Sequence, residues 1–179
     1  GVDLASVKKA TIENTTIDNQ GKGTCLSSLT TDVTISGSTL KNGTVGYSYK
    51  LGSHTIKNCY IIGNTSDGIN SSADYRTHSQ SLELIGNYIG VGPSGKIDAN
   101  GNGVYVNASA FVAKDNIISG NTDYGVKIGP NETSIIERNY IGTDEFHRDL
   151  GNGGCGIDLH GMSTMGGISM APESIEDAN

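Results

Sequence analysis

The sequence predicts an all-β solenoid, and two features of one short repeat predict it. The first is a pair of apolar residues five positions apart, which occurs six times along the chain. These pairs are Ile12/Ile17, Ile35/Leu40, Ile56/Ile61, Leu84/Ile89, Ala113/Ile118 and Ile136/Ile141. The second is a glycine that follows each pair and leads a short segment of alternating side chains. Units of this size bury their apolar faces only against their neighbours, so the repeat itself indicates a stacked architecture.

The spacing of the repeats leaves no room for helices. Ile17 and Leu40 are 23 residues apart and Leu40 and Ile61 are 21 apart, while longer intervals elsewhere mark insertions. Short alternating strands joined by turns fill such a period completely. Each coil is therefore expected to consist of strands and turns alone.

Within such a coil, the inward side chain of one turn stacks on its equivalent in the next turn, about 4.8 Å away. Three inward columns are predicted. They are Ile12-Ile35-Ile56-Leu84-Ala113-Ile136, Ile17-Leu40-Ile61-Ile89-Ile118-Ile141 and Thr24-Tyr47-Ile69-Val104-Val126-Ile157. Columns of small aliphatic side chains need few bulky aromatics, which suits a chain with 26 Gly, 2 Phe and no Trp.

Asparagines mark the turn between the first two columns. Asn87, Asn116 and Asn139 fall at one level in consecutive coils, and Asn14 and Asn58 fall one position earlier in others. Asparagine tolerates the left-handed backbone region, and its amide can bond a neighbouring coil. A buried asparagine ladder is predicted at this turn.

With its NYIG and SGNTxxG segments, the sequence resembles the right-handed parallel β-helix superfamily, the pectate-lyase-like solenoids found among secreted and surface proteins. The resemblance covers about residues 10 to 161 and implies three strands per coil, with the asparagine turn between the second and third. We therefore expect a single right-handed parallel β-helix domain of about six coils over residues 1–161. Residues 162–179 carry no repeat and are expected to form a C-terminal cap or tail.

Charge and composition exclude several classes of partner. With 12 Lys and Arg against 19 Asp and Glu, the net charge is -7, which disfavours nucleic acid and anionic membranes as ligands. No apolar run approaches the roughly 18 residues of a membrane span. The three cysteines lack the spacing of a zinc site or a disulfide framework, so small, partly buried thiols are expected.

The resemblance implies that the glycine-led strands form the first sheet, which floors the substrate groove in polysaccharide-acting members. Alternation then assigns the outward side chains of that sheet. The candidate ligand-binding residues on its face are Lys50, Tyr105, Asn107, Lys127, Asp158 and His160. Insertions at 72–80, 90–100 and 142–152 flank this sheet and add Arg76 and Arg148. A groove walled by these loops is the functional hypothesis, since binding residues concentrate in loops on a rigid scaffold.

Two functions are compatible with such a groove. Tyrosine offers a stacking face, amides and carboxylates bind hydroxyls, and basic side chains bind uronates, so a polysaccharide or cell-surface glycan is the expected partner. A lyase or epimerase acting on uronate-containing glycans would need a tuned acid or base, for which the candidates are Lys127, Asp158, His160 and Arg76. The sequence lacks the paired carboxylates of polygalacturonase-like hydrolases and the epimerase motif. A non-catalytic carbohydrate-binding or structural protein, extracellular or on a cell or virion surface, is therefore favoured over the enzyme.

Asp98, Asn100 and Asn102 match the start of a calcium-binding loop, D-x-[DN]-x-[DN]-G. The twelfth position of that loop is Ser109, where glutamate is required. The match is therefore incomplete. Calcium is the one cofactor that the sequence suggests, with solvated turns as the alternative explanation.

An apolar stripe is predicted on the outer face of the strand before the asparagine turn. Ile85, Val112 and Ile135 are expected to be outward neighbours in successive coils. An outward apolar stripe suggests cover by another subunit or by the C-terminal tail. The first alternative predicts a homo-oligomer or a place in a longer β-helix assembly.

Overall fold

The computed structural model describes residues 1–71, 80–108, 110–129 and 133–159, and nineteen strands lie within them. The strands are β1 (Val2–Asp3), β2 (Lys9–Glu13), β3 (Thr16–Asp18), β4 (Leu26–Ser28), β5 (Asp32–Ser36), β6 (Thr39–Lys41), β7 (Tyr47–Tyr49), β8 (Gly52–Lys57), β9 (Tyr60–Ile62), β10 (Asp67–Ser71), β11 (Gln80–Ile85), β12 (Tyr88–Ile89), β13 (Asn102–Val106), β14 (Ala110–Lys114), β15 (Ile117–Ile118), β16 (Val126–Ile128), β17 (Thr133–Glu137), β18 (Tyr140–Ile141) and β19 (Ile157–Leu159).

The strands form three sheets, each built by taking every third strand in chain order. The first sheet runs β1-β4-β7-β10-β13-β16-β19, the second β2-β5-β8-β11-β14-β17, and the third β3-β6-β9-β12-β15-β18. Neighbouring strands within each sheet pair in parallel, as β11 does with β8 and β14. The chain therefore winds as a parallel β-helix of six coils, with β1 as an extra strand at the end of the first sheet. This confirms the predicted fold, and the repeat-free residues 162–179 lie outside the described residues.

The register confirms two of the predicted inward columns throughout. Ile35 pairs with Ile56 and Leu84 with Ala113 in the second sheet, and the third sheet repeats the pattern from Ile17 to Ile141. The inward side chains of the inner coils are fully buried and form one core. At about 25 cal/mol per Å² of buried apolar surface, such columns supply the main stabilisation of the coil.

The third predicted column is wrong at its first member. Leu26, and not Thr24, pairs with Tyr47. The turn before β4 is longer than its counterparts, because the Asn19 amide gathers the carbonyls of Lys22, Gly23 and Thr24 at 3.1, 2.9 and 3.2 Å. Gly23 thus belongs to this loop and does not lead the strand.

The predicted asparagine ladder is present and continues into coils that lack asparagine. The Asn87 amide donates to Asn116 Oδ1 at 2.9 Å, and the Asn116 amide donates to Asn139 Oδ1 at 2.8 Å. Towards the N-terminus, the Cys59 N–H donates to Asn87 Oδ1 and the Ser38 N–H to Cys59 Sγ. Each member of this column is therefore a short polar side chain that accepts a hydrogen bond from a backbone N–H of the preceding coil.

The residue before each member of this column has a left-handed backbone. Its φ values are 50° at Asn14, 54° at Gly37, 52° at Asn58, 63° at Gly86, 57° at Asp115 and 52° at Arg138. This explains the two asparagines predicted one position early, since asparagine and glycine adopt this region most readily.

A second asparagine ladder lies at the turn between the third and first sheets. Amide-to-amide hydrogen bonds join Asn64, Asn100, Asn121 and Asn152 at 2.9 to 3.0 Å. No ladder is predicted at this turn from the sequence, although Asn64 and Asn121 each begin an Asn-Thr segment there. Insertions separate its members unevenly along the chain, which hides the period.

The second ladder explains the glycine that leads each strand of the first sheet. A Cβ at Gly103 would lie 2.5 Å from the Gly125 carbonyl oxygen and 2.9 Å from the Asn121 amide nitrogen. Gly46, Gly68 and Gly125 meet the same two kinds of obstacle. The glycines are therefore required by the close approach of the coils to the ladder.

His54 stands two residues before the inward Ile56, so alternation along the strand predicts a core histidine, and the side chain is indeed buried. Its Nδ1 accepts from the Tyr47 hydroxyl at 2.8 Å, and its Nε2 donates to the Leu51 carbonyl at 3.1 Å. Burial lowers the pKa of His54 from 6.5 to about 4. The neutral ring is thus the folded form near neutral pH.

We predict that Asn116→Ala lowers the free energy of unfolding by about 3 kcal/mol, because the buried N–H and amide of Asn87 and the Leu84 carbonyl lose their partner. Urea denaturation measures this loss. Asn14→Gly is the matched control, since it removes an exposed asparagine where φ is 50° and should change stability by less than about 0.5 kcal/mol. Equal losses in the two variants would contradict the role of the ladder.

We predict that stability falls by about 3 kcal/mol as the pH falls from 6.5 to 4, because protonation of His54 favours the unfolded chain. A lowered folded pKa gives stability that is present above pH 6.5 and is lost on acidification. Unfolding midpoints measured across this range should lose most of their slope in His54→Gln and keep it in His147→Asn, where the histidine is exposed. An unchanged slope in His54→Gln would refute the assignment.

Candidate functional site

The outward face of the third sheet carries a column of residues that becomes aromatic after two coils. Register places Thr16, Thr39, Tyr60, Tyr88, Ile117 and Tyr140 side by side in that order. The rings of Tyr60 and Tyr88 stack with centroids 4.9 Å apart and planes 25° apart. We call Tyr60, Tyr88, Ile117 and Tyr140 the tyrosine column.

Two insertions stand beside this column. In the fourth coil, residues 91–97 form a small hairpin in which Val91 pairs with Ile97 and the Gly92 N–H donates to the Lys96 carbonyl at 2.9 Å. In the sixth coil, the loop 142–150 returns with the Leu150 N–H bonded to the Gly142 carbonyl at 3.2 Å. Val91 and Leu150 pack with Ile117 in a small cluster of their own. This packing anchors both loops to the scaffold.

Asp144 and Arg148 hold the sixth-coil loop in shape and connect it to the hairpin. Asp144 is 2% exposed, and its carboxylate accepts from the N–H groups of Phe146 and Arg148 and from the Arg148 guanidinium at 2.5 to 2.6 Å. Burial alone would raise the pKa of Asp144, but these hydrogen bonds outweigh it and lower the pKa. The same guanidinium lies against Gly95, where a Cβ would approach it to 2.4 Å.

Clefts open on both sides of the Tyr60–Tyr88 stack. The turn-side cleft, of about 370 Å³, is lined by Asn58, Tyr60, Gly86, Asn87, Tyr88, Asp115, Ile117, Tyr140 and Glu145. The loop-side cleft, of about 420 Å³, is lined by Tyr60, Tyr88, Val91–Gly95, Ile117, Asp144–Phe146 and Arg148. Tyr60, Tyr88, Ile117 and Glu145 border both, so the two clefts adjoin along the tyrosine column.

The two exposed carboxylates that line the turn-side cleft differ in whether a positive charge pairs with them. Arg138 donates two hydrogen bonds to Asp115, at 2.8 and 2.9 Å, and this pairing lowers the pKa of Asp115. Glu145 is exposed and forms no ion pair within the described part of the chain. Burial, and then the charge of Glu145, raise the pKa of Tyr88, so its hydroxyl stays protonated. The turn-side cleft thus combines three tyrosines with one compensated and one uncompensated carboxylate.

The predicted outward row of the first sheet is present as a second surface. Asn70, Tyr105, Lys127 and Asp158 are register neighbours in successive coils. Lys127 Nζ lies 4.7 Å from the centroid of the Tyr124 ring and 5.9 Å from that of Tyr105, which are cation–π distances. We call Tyr105, Tyr124, Lys127 and Asp158 the first-sheet patch, and its role in binding stays a prediction.

Beside this patch lies a buried carboxylate, Asp67, which no sequence pattern marks. Asp67 is 5% exposed and accepts hydrogen bonds from the amides of Asn70 and Asn102 and from Ser66 Oγ. These donors satisfy it within the protein. Asp67 is therefore a structural anchor of the first sheet.

The expected walls of the first-sheet groove are not where the sequence suggested. The insertions at 90–100 and 142–152 flank the tyrosine column of the third sheet, and Arg148 lines the loop-side cleft, away from Lys127. They follow strands of the third sheet directly, so they leave the scaffold at that face. Lys50 directly follows β7 and is exposed. The backbone carbonyl of Asn107 accepts hydrogen bonds from the side chains of Ser71 and Gln80. Arg76 and His160 lie outside the described residues.

Two of the three suggested calcium ligands, Asn100 and Asn102, form hydrogen bonds within the fold. Asn100 Oδ1 accepts from both the N–H and the amide of Asn64, and Asn102 donates to Asp67. Asn100 therefore leaves the ligand set. No cluster of three metal-binding side chains occurs among the described residues, and calcium binding itself stays an untested prediction.

The apolar stripe on the second sheet is shorter than expected. Val112 pairs with Ile135, but Ile85 pairs with Lys114 and lies in the next outward row, while Glu83 takes the place beside Val112. All three apolar side chains are half-buried. The alternation of side chains places Ile85 on the correct face of the sheet but two residues from the row that contains Val112 and Ile135. Association of subunits through this stripe stays a prediction.

Comparison with known proteins agrees with the architecture. A family model described as the right-handed β-helix region matches residues 1–169. The chain belongs to this family. No curated protein and no solved structure matches it significantly. No helix in the described ranges is long and apolar enough to cross a membrane.

We predict that Asp144→Ala loosens the sixth-coil loop, because the N–H groups of Phe146 and Arg148 lose their shared acceptor. Their amide hydrogen exchange should accelerate about tenfold, while exchange in β14 stays unchanged. Asp149→Ala, an exposed change in the same loop, is the control. Equal acceleration in both variants would show that Asp144 does not hold the loop.

Proposed function

We propose that this β-helix protein is a non-catalytic carbohydrate-binding protein that acts outside the cell or on a cell or virion surface. Its binding site is the pair of adjoining clefts along the tyrosine column. The observation that carries the proposal is the outward row of aromatic residues between two anchored loops. An outward row of large side chains on a solvated sheet needs a partner, and this one borders concave space.

The composition of the clefts suits sugar rings. Tyrosine joins an apolar ring, which packs against C–H groups, to a hydroxyl that donates or accepts a hydrogen bond. Ser94 and Glu145 add polar groups at the rim, and Asn58 adds an amide. The site also rests on rigid elements, since every tyrosine of the column belongs to a strand of the third sheet.

The carboxylates favour binding over hydrolysis. Glycoside hydrolysis requires one carboxylic acid that is protonated near the working pH and a second carboxylate opposite it. The pairing with Arg138 lowers the pKa of Asp115, so Asp115 stays ionised and is a poor proton donor. Its role in this proposal is to hold Arg138 and accept hydrogen bonds.

A lyase or epimerase remains the alternative, with Lys127 of the first-sheet patch as its base. Its Nζ lies within cation–π distance of the Tyr105 and Tyr124 rings, so these two rings hold it over the face of the sheet.

We predict that Tyr88→Ala weakens the binding of the best oligosaccharide on a glycan array about tenfold, because the central ring of the column borders both clefts. Tyr105→Ala on the first sheet is the matched control and should leave the affinity unchanged. Calorimetric titration measures both. A loss confined to Tyr105→Ala would move the site to the first-sheet patch, and absence of binding to any glycan would refute the proposal.

We predict that the protein forms no unsaturated product and does not change the uronate composition of acidic polysaccharides. Ultraviolet absorbance follows elimination, and sugar analysis of the treated polymer follows epimerisation. The enzyme alternative would be established by either activity in the wild-type protein, provided that Lys127→Ala abolishes the activity and Tyr88→Ala retains it.

A further inference from the structure

The two clefts differ in the charge that they present. Arg148 lines the loop-side cleft, whereas none of the described lysines or arginines lines the turn-side cleft. The turn-side cleft has Asp115 and Glu145 as its charged groups, beside the rings of Tyr60, Tyr88 and Tyr140. Arg138 neutralises Asp115, so the net charge at this cleft is that of Glu145. The turn-side cleft is therefore a tyrosine-lined space with one uncompensated negative charge.

This combination has a specific chemical complement. A cation is attracted both to the faces of tyrosine rings and to a carboxylate, and a carboxylate ligand is repelled by the same groups. A cleft of about 370 Å³ accommodates one or two sugar rings. Given the proposed function, on which this step rests, the ligand that this lining favours is a sugar that carries a positive charge.

We propose that the turn-side cleft binds an amino sugar with a free, protonated amine. The ammonium group lies against Glu145 and the tyrosine column, and the ring packs beside Ile117, where the smaller side chain interrupts the row of tyrosines. Glu145 sets the preference for the charged amine, and Tyr140 supplies ring contact on this side alone, since it borders only the turn-side cleft. A uronate, which the sequence suggested as ligand for the first sheet, is disfavoured at this cleft by the same charge.

Three hexamers of equal length test the preference. They are a β-1,4-linked glucosamine hexamer, its fully N-acetylated counterpart, which has lost the charge, and an oligogalacturonate. At pH 6 and low salt, the glucosamine hexamer should bind at least fivefold more tightly than the acetylated one, and the oligogalacturonate should bind weakest. The preference should shrink as salt is raised, because Glu145 is exposed and its charge is screened.

Matched variants separate the cleft from the overall charge of -7, which attracts any polycation. Glu145→Gln should reduce the preference for the amine to about twofold or less. Asp149→Asn removes the same charge from the same loop outside both clefts and should keep the preference. Tyr140→Ala should weaken glucosamine binding about threefold or more, while Phe146→Ala, which alters only the loop-side cleft, should not.

The outcomes distinguish this inference from the proposed function. Equal binding of the amine and acetylated hexamers, both lost in Tyr88→Ala, would overturn the amino-sugar assignment and leave carbohydrate binding intact. Equal reduction by Glu145→Gln and Asp149→Asn would overturn it too, because attraction would then be non-specific. Competition by tetramethylammonium at the affinity of the hexamer would show a cation site that does not recognise sugar. Binding of no hexamer would overturn the amino-sugar assignment, and carbohydrate binding would fall with it only if no oligosaccharide on the glycan array bound either.

Discussion

The structure depends on side-chain hydrogen bonds that join adjacent coils at two turns. At the first turn, one backbone N–H in each coil donates to a side chain of the following coil. The donors are Thr15, Ser38, Cys59, Asn87 and Asn116. At the second, the amides of four asparagines form a continuous buried chain. Buried amides left unpaired would cost several kcal/mol, so these columns fix where each turn falls. Cys25 ends the second column, donating from its thiol to Asn64 Oδ1 at 3.6 Å where Gly43 leaves space.

Because the positions of the turns are fixed, the strands of successive coils pair in a fixed register. Equivalent residues of successive coils therefore lie side by side in columns. A tyrosine on an isolated strand would be one exposed ring, but Tyr60, Tyr88 and Tyr140 become one surface because their coils are stacked in register. The insertions then decide where that surface becomes concave. They leave the coil just after the third sheet, and Val91 and Leu150 pack them down beside Ile117. A rigid floor and tethered walls are the arrangement on which ligand recognition depends.

Charge is distributed unevenly over this scaffold. The net charge of -7 describes neither face well, because Lys127 lies over two rings on the first sheet while Arg138 and Arg148 are each committed to an aspartate on the third-sheet side. Through these ion pairs, the two arginines hold the loops and turns in shape. In the proposed site, the uncompensated Glu145 is therefore expected to influence ligand choice more than the larger number of paired charges around it.

The sequence by itself determined the fold, two complete core columns, the first asparagine ladder and the burial of His54, because each depends on local periodicity. It could not locate the second ladder, whose members are separated by insertions of unequal length, nor the shift from Thr24 to Leu26, which follows from the loop around Asn19. The tyrosine column and the loops beside it were decided only by the tertiary structure. Tyr60, Tyr88 and Tyr140 resemble ordinary strand residues until stacking brings them together. An insertion, likewise, shows in the sequence where it interrupts the repeat but not which face it covers.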